Sequence, residues 1–334
     1  MDVGARTNPF LCRRTIVMAA GGLVAMLGGG CAHTKPVSKK PWDTKLPSAW
    51  HDAPTIPLWP DGTPTHGFQN KTLSANHPEI FVRNIAKPEL RVFRPQVSNG
   101  RSLLTIPGGS YTFISIQNEG YEIAQRMTAL GYTVFVLNYR LPGEGWINRE
   151  DVPLQDAQRA VRVIRRKGST YGVDSKQLIV VGFSAGGHLA ATLATSFAEQ
   201  TFPARDSIDA IDARPNAVGL IYPVISLAPS IGHHESTLQL LGPYPSAELI
   251  NRRSPALHVT NKTPPVFLVH ALNDIAVTPE NSLMMMKALQ AVGQPVEGHF
   301  FTEGSHGFGP GKQGTPAGQW MSLFDAWIDR QMEN

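Results

Sequence analysis

One serine, Ser184, lies in the stretch GFSAGG at residues 182–187, boxed in by glycines. A serine hydroxyl becomes a nucleophile at neutral pH only when a histidine takes its proton and a carboxylate orients that histidine. Two later segments supply such partners. PPVFLVHA runs straight into LNDIAVTPENS and places Asp274 in the loop after an apolar run, while VEGHFFTEGSHGFG places His306 in a glycine-rich loop. Each has a plainer explanation by itself: glycines mark turns, an aspartate in such a loop caps or turns the chain, and a loop histidine bonds to backbone. Together, Ser184, Asp274 and His306 are the candidate catalytic residues of an acyl-transfer reaction.

Acyl transfer also needs N–H donors for the oxyanion of its tetrahedral intermediate. One is expected from the backbone of Ala185, directly after the serine. The other is expected from PGGSY, where Gly108 and Gly109 let amides turn toward the site and Gly109 or Ser110 donates. Tyr111, next in that loop, has two readings, lining the acyl (substrate) pocket or packing under the loop. The other histidines fit structural places: His188 in the helix after the serine, His270 at a strand end with local hydrogen bonds, His299 within a strand. Asn273 cannot serve as an ionised orienter. His233, His234 and Glu235 are neighbours in a loop of unknown shape, which is weak ligand evidence, so neither a metal nor another cofactor is expected.

These groups need a scaffold that brings them together. From about residue 80, short runs rich in Val, Ile and Leu alternate with amphipathic stretches of helical length. That alternation predicts an α/β fold, a mostly parallel central sheet flanked by helices on both faces. Strands are expected over 103–106, 133–138, 178–182, 218–222, 266–271 and 296–301, with 80–84 and 90–94 as the antiparallel start of the sheet. Helices are expected over 119–130, 153–166, 185–196, 279–291 and 317–331. In the second helix, Ala157, Ala160, Val161 and Ile164 recur at three- and four-residue spacing and form an apolar face. Arg159, Arg162, Arg165 and Arg166 on its other side read as solvated surface with one ion pair at most. LIVVGFSAGGHLAATLATS then becomes strand, turn and helix with Ser184 at the turn, the context a G-x-S-x-G elbow requires. The chain order Ser, Asp, His is that of the α/β-hydrolase arrangement.

With 334 residues, 42% of them hydrophobic, the chain can bury the core of one domain of about 250 residues plus a leader. The net charge of +4 and pI of about 9.1 come from scattered Lys and Arg, which argues against a nucleic-acid partner. Residues 1–31 read as an export signal: Arg13 and Arg14 precede an apolar run over 16–27 that is too short for a membrane span. CRRTIVM resembles a twin-arginine signal, with a Sec signal as the alternative. LGGGCA resembles a bacterial lipoprotein box that makes Cys31 a lipid-attachment residue and membrane anchor, although Leu27 stands four rather than three positions before it. The alternative is simple cleavage nearby, for instance after Ala32. Either way the expected location is a bacterial cell envelope, periplasmic or membrane-anchored. Cys12 and Cys31 are the only cysteines, so beyond residue 31 no disulfide, thiol nucleophile or cysteine metal site exists. Residues 32–65, rich in Pro and Lys, read as a tether and an extended arm, and 66–334 as a single catalytic domain.

The segments IPLWPDGTP, IPGGSY, YRLPGEGW, PLQDAQRAVRVIR, VGFSAGGHLAA, IYPVISL, TPPVFLVHALND and PENSLMMMKAL together resemble bacterial carbohydrate esterases of the acetylxylan esterase or BD-FAE-like type, over about residues 54–310. The resemblance implies an α/β-hydrolase fold and carboxylester hydrolysis, with acetylated plant polysaccharide as the leading substrate. It maps the triad onto Ser184, Asp274 and His306. Two departures stand out. The family's PGGGY is PGGSY here, so Ser110 bears on acyl preference, and its paired aspartates are Asn273 and Asp274. Feruloyl or general short-chain esters are the alternative substrates, a peptidase is a weaker one, and a non-catalytic carbohydrate-binding lipoprotein is the reading of another class.

Overall fold

Runs such as LLTI, TVFVLN and VFLVHA carry too few polar residues to leave either face in water, so they belong in the middle of a sheet covered on both sides. The computed structural model describes residues 45–332. Its strands are β1 (Thr55–Pro57), β2 (Phe81–Val82), β3 (Glu89–Phe93), β4 (Ser102–Ile106), β5 (Ile114–Ser115), β6 (Thr133–Asn138), β7 (Leu178–Phe183), β8 (Ala217–Ile221), β9 (Val266–Ala271) and β10 (Val296–Phe301). The α-helices are α1 (Ser48–Asp52), α2 (Glu122–Ala129), α3 (Val152–Lys167), α4 (Ser184–Ser196), α5 (His234–Leu241), α6 (Ala247–Arg252), α7 (Glu280–Ala291) and α8 (Trp320–Met332). A π-helical turn, Gln117–Tyr121, leads into α2.

Among the described residues the main sheet has the order β1-β3-β6-β4-β7-β8-β9-β10. β1 pairs antiparallel with β3, and β3 with β6; every later pairing is parallel. β4, β6, β7, β8 and β9 are buried at every position, whereas the edge strand β10 is half-exposed throughout. Successive residues of a strand face opposite sides. On β7, Gly182 faces Ala190 of α4, while Val181 borders Gly219 of β8, which faces Phe324 of α8. Helices α4 and α8 therefore cover opposite faces, as the alternating pattern predicts.

Three expectations are corrected. Residues 80–84 do not start the main sheet: β2 pairs with β5 in a separate two-stranded sheet. The chain turns away at Asn84, whose φ is 60°, and the amides of Asn84 and Ile85 donate to the Glu144 carboxylate at 2.6 and 3.0 Å. The place beside β3 is filled instead by β1, from the segment expected to be an arm. Within that arm, residues 45–65 are built into the fold: Trp50, Ile56, Leu58 and Trp59 are all buried.

Three of the four arginines of α3 are the third correction, while Arg166 is exposed as the sequence suggests. Arg159 is 2% exposed and donates to the Leu58 carbonyl and to Asp206 and Asp209, Arg162 to the Ile211 carbonyl, and Arg165 to the Asp212 and Arg214 carbonyls. The helix is covered by the N-terminal arm and the 198–216 segment as well as by the sheet, so Arg159, Arg162 and Arg165 hold neighbouring segments rather than facing water. The export signal, Cys31 and the tether up to residue 44 lie outside the described residues.

Candidate active site

Strand β7 ends at Phe183 in extended geometry and α4 begins at once with Ser184, whose φ of 51° is a left-handed conformation that a residue with a side chain adopts at a cost. That corner closes only if its neighbours lack bulk. A side chain at Gly182 would run into the Gly186 carbonyl and Ala190, and one at Gly186 into the Ile106 and Pro107 carbonyls. The serine is thereby placed at the first turn of α4, where unpaired amides and the helix dipole favour negative charge.

Two separate loops supply the partners. Ser184 Oγ lies 2.8 Å from His306 Nε2, and His306 Nδ1 lies 2.7 Å from Asp274 Oδ2. An ionised carboxylate only accepts, so Nδ1 carries the ring proton and Nε2 is left to accept from the serine hydroxyl. Asp274 has no exposed side-chain surface. Its Oδ1 accepts from the amides of Ala276 and Val277, both at 3.0 Å, and its Oδ2 also has His270 Nε2 at 3.3 Å. Burial pushes this carboxyl up, but hydrogen bonds from His270, His306 and the Val277 amide outweigh it and hold it well below the usual carboxylate range. The three residues singled out from sequence are thus brought into one hydrogen-bonded chain.

The expected oxyanion loop follows β4. Gly109, Ser110 and Tyr111 have φ values of 125°, 57° and 59°, a run of left-handed residues that turns the loop back on itself. The amides of Thr112 and Phe113 close it onto the Gly109 carbonyl at 2.9 and 3.1 Å. Gly109 is required at its position, because a Cβ there would meet Phe113 as well as adopt a strained φ. Ala185 is buried in the first turn of α4. Tyr111 does not line the acyl pocket: it is 1% exposed and packs under the loop, its hydroxyl 2.7 Å from His188 Nδ1. A phenol placed beside a buried imidazole acceptor is held inward, so the ring anchors the loop.

Several residues given no part in the site by sequence turn out to hold it. Asn273 Oδ1 accepts from the amides of Gly304 and Ser305 at 3.2 and 2.8 Å and so fixes the loop that carries His306. His270 is buried, bonded to Ser282 Oγ at 2.8 Å and to the Val277 carbonyl at 2.9 Å, and so braces the Asp274 turn. Glu119 is buried on the π-helical turn; its position four residues before Ile123, on the apolar face of the following helix, is the sequence signal that was there to find. His233 caps α5, its Nδ1 facing the Ser236 amide at 3.3 Å. Among the described residues no group of three or more His, Cys, Asp or Glu is arranged to hold a metal ion.

Comparison with known proteins agrees with this geometry. The BD-FAE family pattern matches residues 90–289. The acetylxylan esterase of Xylanibacter ruminicola is 29% identical over 248 residues, 72% of this chain and 48% of that enzyme, so the chain spans about half the length of this curated relative. Among solved structures, the acetyl ester-xyloside bifunctional hydrolase of Caldicellulosiruptor lactoaceticus is 32% identical with a TM-score of 0.70, covering 83% of this chain and 96% of that one. The carboxylesterase Cest-2923 of Lactobacillus plantarum is 26% identical with a TM-score of 0.63, covering 80% of this chain and 98% of its own. The elbow, the hydrogen-bonded serine, histidine and aspartate, and these matches lead to one conclusion: the chain belongs to the BD-FAE family, carbohydrate esterases of the α/β-hydrolase type.

Proposed function

We propose that this protein is a serine carboxylester hydrolase that removes acetyl groups from hemicellulose fragments, xylan or xyloglucan oligosaccharides, through an acyl-enzyme. The carrying observation is the chain Ser184 Oγ, His306 Nε2, His306 Nδ1, Asp274 Oδ2, closed at 2.8 and 2.7 Å. His306 takes the serine proton as Oγ attacks the ester carbonyl, and the backbone N–H groups of Ala185 and of Gly109 or Ser110 receive the oxyanion. The imidazolium, faced by the Asp274 carboxylate, returns the proton to the sugar oxygen as the C–O bond breaks. Water then repeats the sequence on the acetyl-serine, releasing acetate and restoring the hydroxyl.

The acetylated-sugar substrate is supported by the relatives named for acetylxylan and acetyl ester-xyloside chemistry. Likeness to a carboxylesterase favours a second reading, a general short-chain esterase of the same mechanism. Acetate release from acetylated xylan and xyloglucan oligosaccharides, set beside ferulate release and an aryl-ester chain-length series, separates them. Acetyl esters of oligosaccharides are expected to be the best substrates; preference for acyl chains of six or more carbons counts against the acetyl reading. Export to the cell envelope, with Cys31 as the lipid-attachment residue, is proposed on the leader sequence alone, and fractionation of a Cys31→Ser variant tests it.

A further inference from the structure

We infer that Glu119 is a positioning residue for this reaction, tying the oxyanion loop and the histidine loop into one rigid unit; the inference rests on the acyl-transfer reading of the Ser184 site. The carboxylate has two oxygens and each holds a different loop. Oε2 accepts from the Gly108 amide at 2.7 Å, at the base of the oxyanion loop. Oε1 accepts from the Tyr222 hydroxyl at 2.9 Å, and that hydroxyl in turn accepts from the Gly309 amide at 2.9 Å, three residues after His306.

The surroundings show that this bridge is built at a cost. Glu119 is 3% exposed, and a buried carboxylate is an expensive way to fill a core unless its hydrogen bonds are needed. Tyr222 is fully buried with a φ of 38°, a strained backbone for a bulky residue, and that strain puts its ring 5.1 Å from the His306 ring, edge to face. Glu119 itself sits on the π-helical turn, and the neighbouring residue adds a second tie: Asn118 Nδ2 donates to the Gly307 carbonyl at 3.0 Å while its Oδ1 accepts from Ser115 at 2.8 Å. One turn of chain therefore grips both loops. Burial pushes the Glu119 carboxyl up, opposed by the Gly108 amide, the Tyr222 hydroxyl and the nearby His306. With donors on both oxygens, it acts here as an acceptor on each side.

A group that only fills the core affects folding, whereas a group that sets the spacing between base and oxyanion donors affects the chemical step. The test compares Glu119→Gln, Tyr222→Phe, the double variant and Ser184→Ala on an aryl acetate, with thermal unfolding measured alongside. Glu119→Gln turns one acceptor into an N–H2 that faces a donor. Its kcat is expected to fall about 10- to 100-fold, less than or comparable to the loss of an oxyanion donor itself, with KM within about two-fold. Labelling of Ser184 by a fluorophosphonate slows with it. Tyr222→Phe lowers kcat by a smaller factor, and the double variant is no slower than Glu119→Gln because both changes cut the same bridge. Normal kcat in folded Glu119→Gln, or losses that multiply in the double variant, overturns the inference. If Glu119→Gln does not fold, Tyr222→Phe decides: kcat lowered at constant KM supports the bridge, and an unchanged kcat overturns it. Activity retained by Ser184→Ala refutes the acyl-transfer reading instead, which keeps the two failures apart.

Discussion

At the residue scale, the site depends on which atoms are left to accept. Asp274 already takes amides on Oδ1, so its Oδ2 is the oxygen that fixes the His306 tautomer, with His270 beside it. Asp274→Asn keeps the volume but presents either a neutral acceptor or an N–H2 to the imidazole, which then loses its preferred tautomer. A drop in kcat of about 10⁴ is expected, together with some loss of thermal stability because an amide N–H2 would face the donors on Oδ2, read by steady-state kinetics on an aryl acetate and by thermal unfolding. Ser184, Asp274 and His306 were legible in the sequence because each stands in a short segment whose glycines or strand context mark its place. Asn273 and His270 were not, because what they do depends on amides and hydroxyls that only the folded chain brings near; for Glu119 the helical spacing pointed to burial but not to the Gly108 amide and Tyr222 hydroxyl it holds. Tyr111 shows the limit from the other side: its position beside the oxyanion glycines left lining and anchoring equally open, and a single hydrogen bond to His188 decided it.

At the element scale, α4 does more than present Ser184. One turn further along, His188 is 1% exposed; its Nε2–H donates to the Arg253 carbonyl at 2.7 Å and its Nδ1 accepts from Tyr111. The helix thus joins the oxyanion loop to the segment after α6. Both ring nitrogens are used in the neutral form, and burial pushes the imidazole down to about 4. Since the unfolded chain binds this proton more readily, the neutral-His188 contribution is complete above a pH of about 6.5 and is lost as pH falls toward 4, on the order of 3 kcal/mol in all. Urea unfolding at pH 7 and 4.5 should show that loss in the wild type and a smaller one in His188→Gln, even though the variant is the less stable at pH 7. Equal losses in both proteins would rule the assignment out. The elements themselves were well predicted where continuous apolar runs stand out, as in β6 and β9, and the ends of β6, β9 and β10 fall where the sequence places them. Short pieces such as α1, α5 and α6 went unseen, since five to eight residues give too few turns for a helical period to register.

At the scale of the whole molecule, the arginines of α3 show how segments without much regular structure are kept in place. Arg159 reaches the Leu58 carbonyl, Asp206 and Asp209, joining the N-terminal arm to the 198–216 segment. The Asp206 carboxyl, hydrogen-bonded to Arg159, is drawn down to about 2. Arg159→Ala leaves Asp209, 2% exposed at its side chain, without that partner, and a loss of roughly 2–4 kcal/mol in urea unfolding is expected, with faster proteolysis in 198–216. From sequence these arginines looked like solvent-facing charge because the helical period describes one helix against one neighbour, and α3 packs against several. The same blindness hid the inclusion of residues 45–65 in the domain. The central claim, that this fold exists to let Ser184 carry an acetyl group from a sugar to water, is tested most directly by acetate released from acetylated xylan oligosaccharides by the wild type and by Ser184→Ala at equal folded concentration. The wild type is predicted to release acetate steadily and the variant to be slower by about 10⁴-fold or more; comparable release by the two would contradict the account.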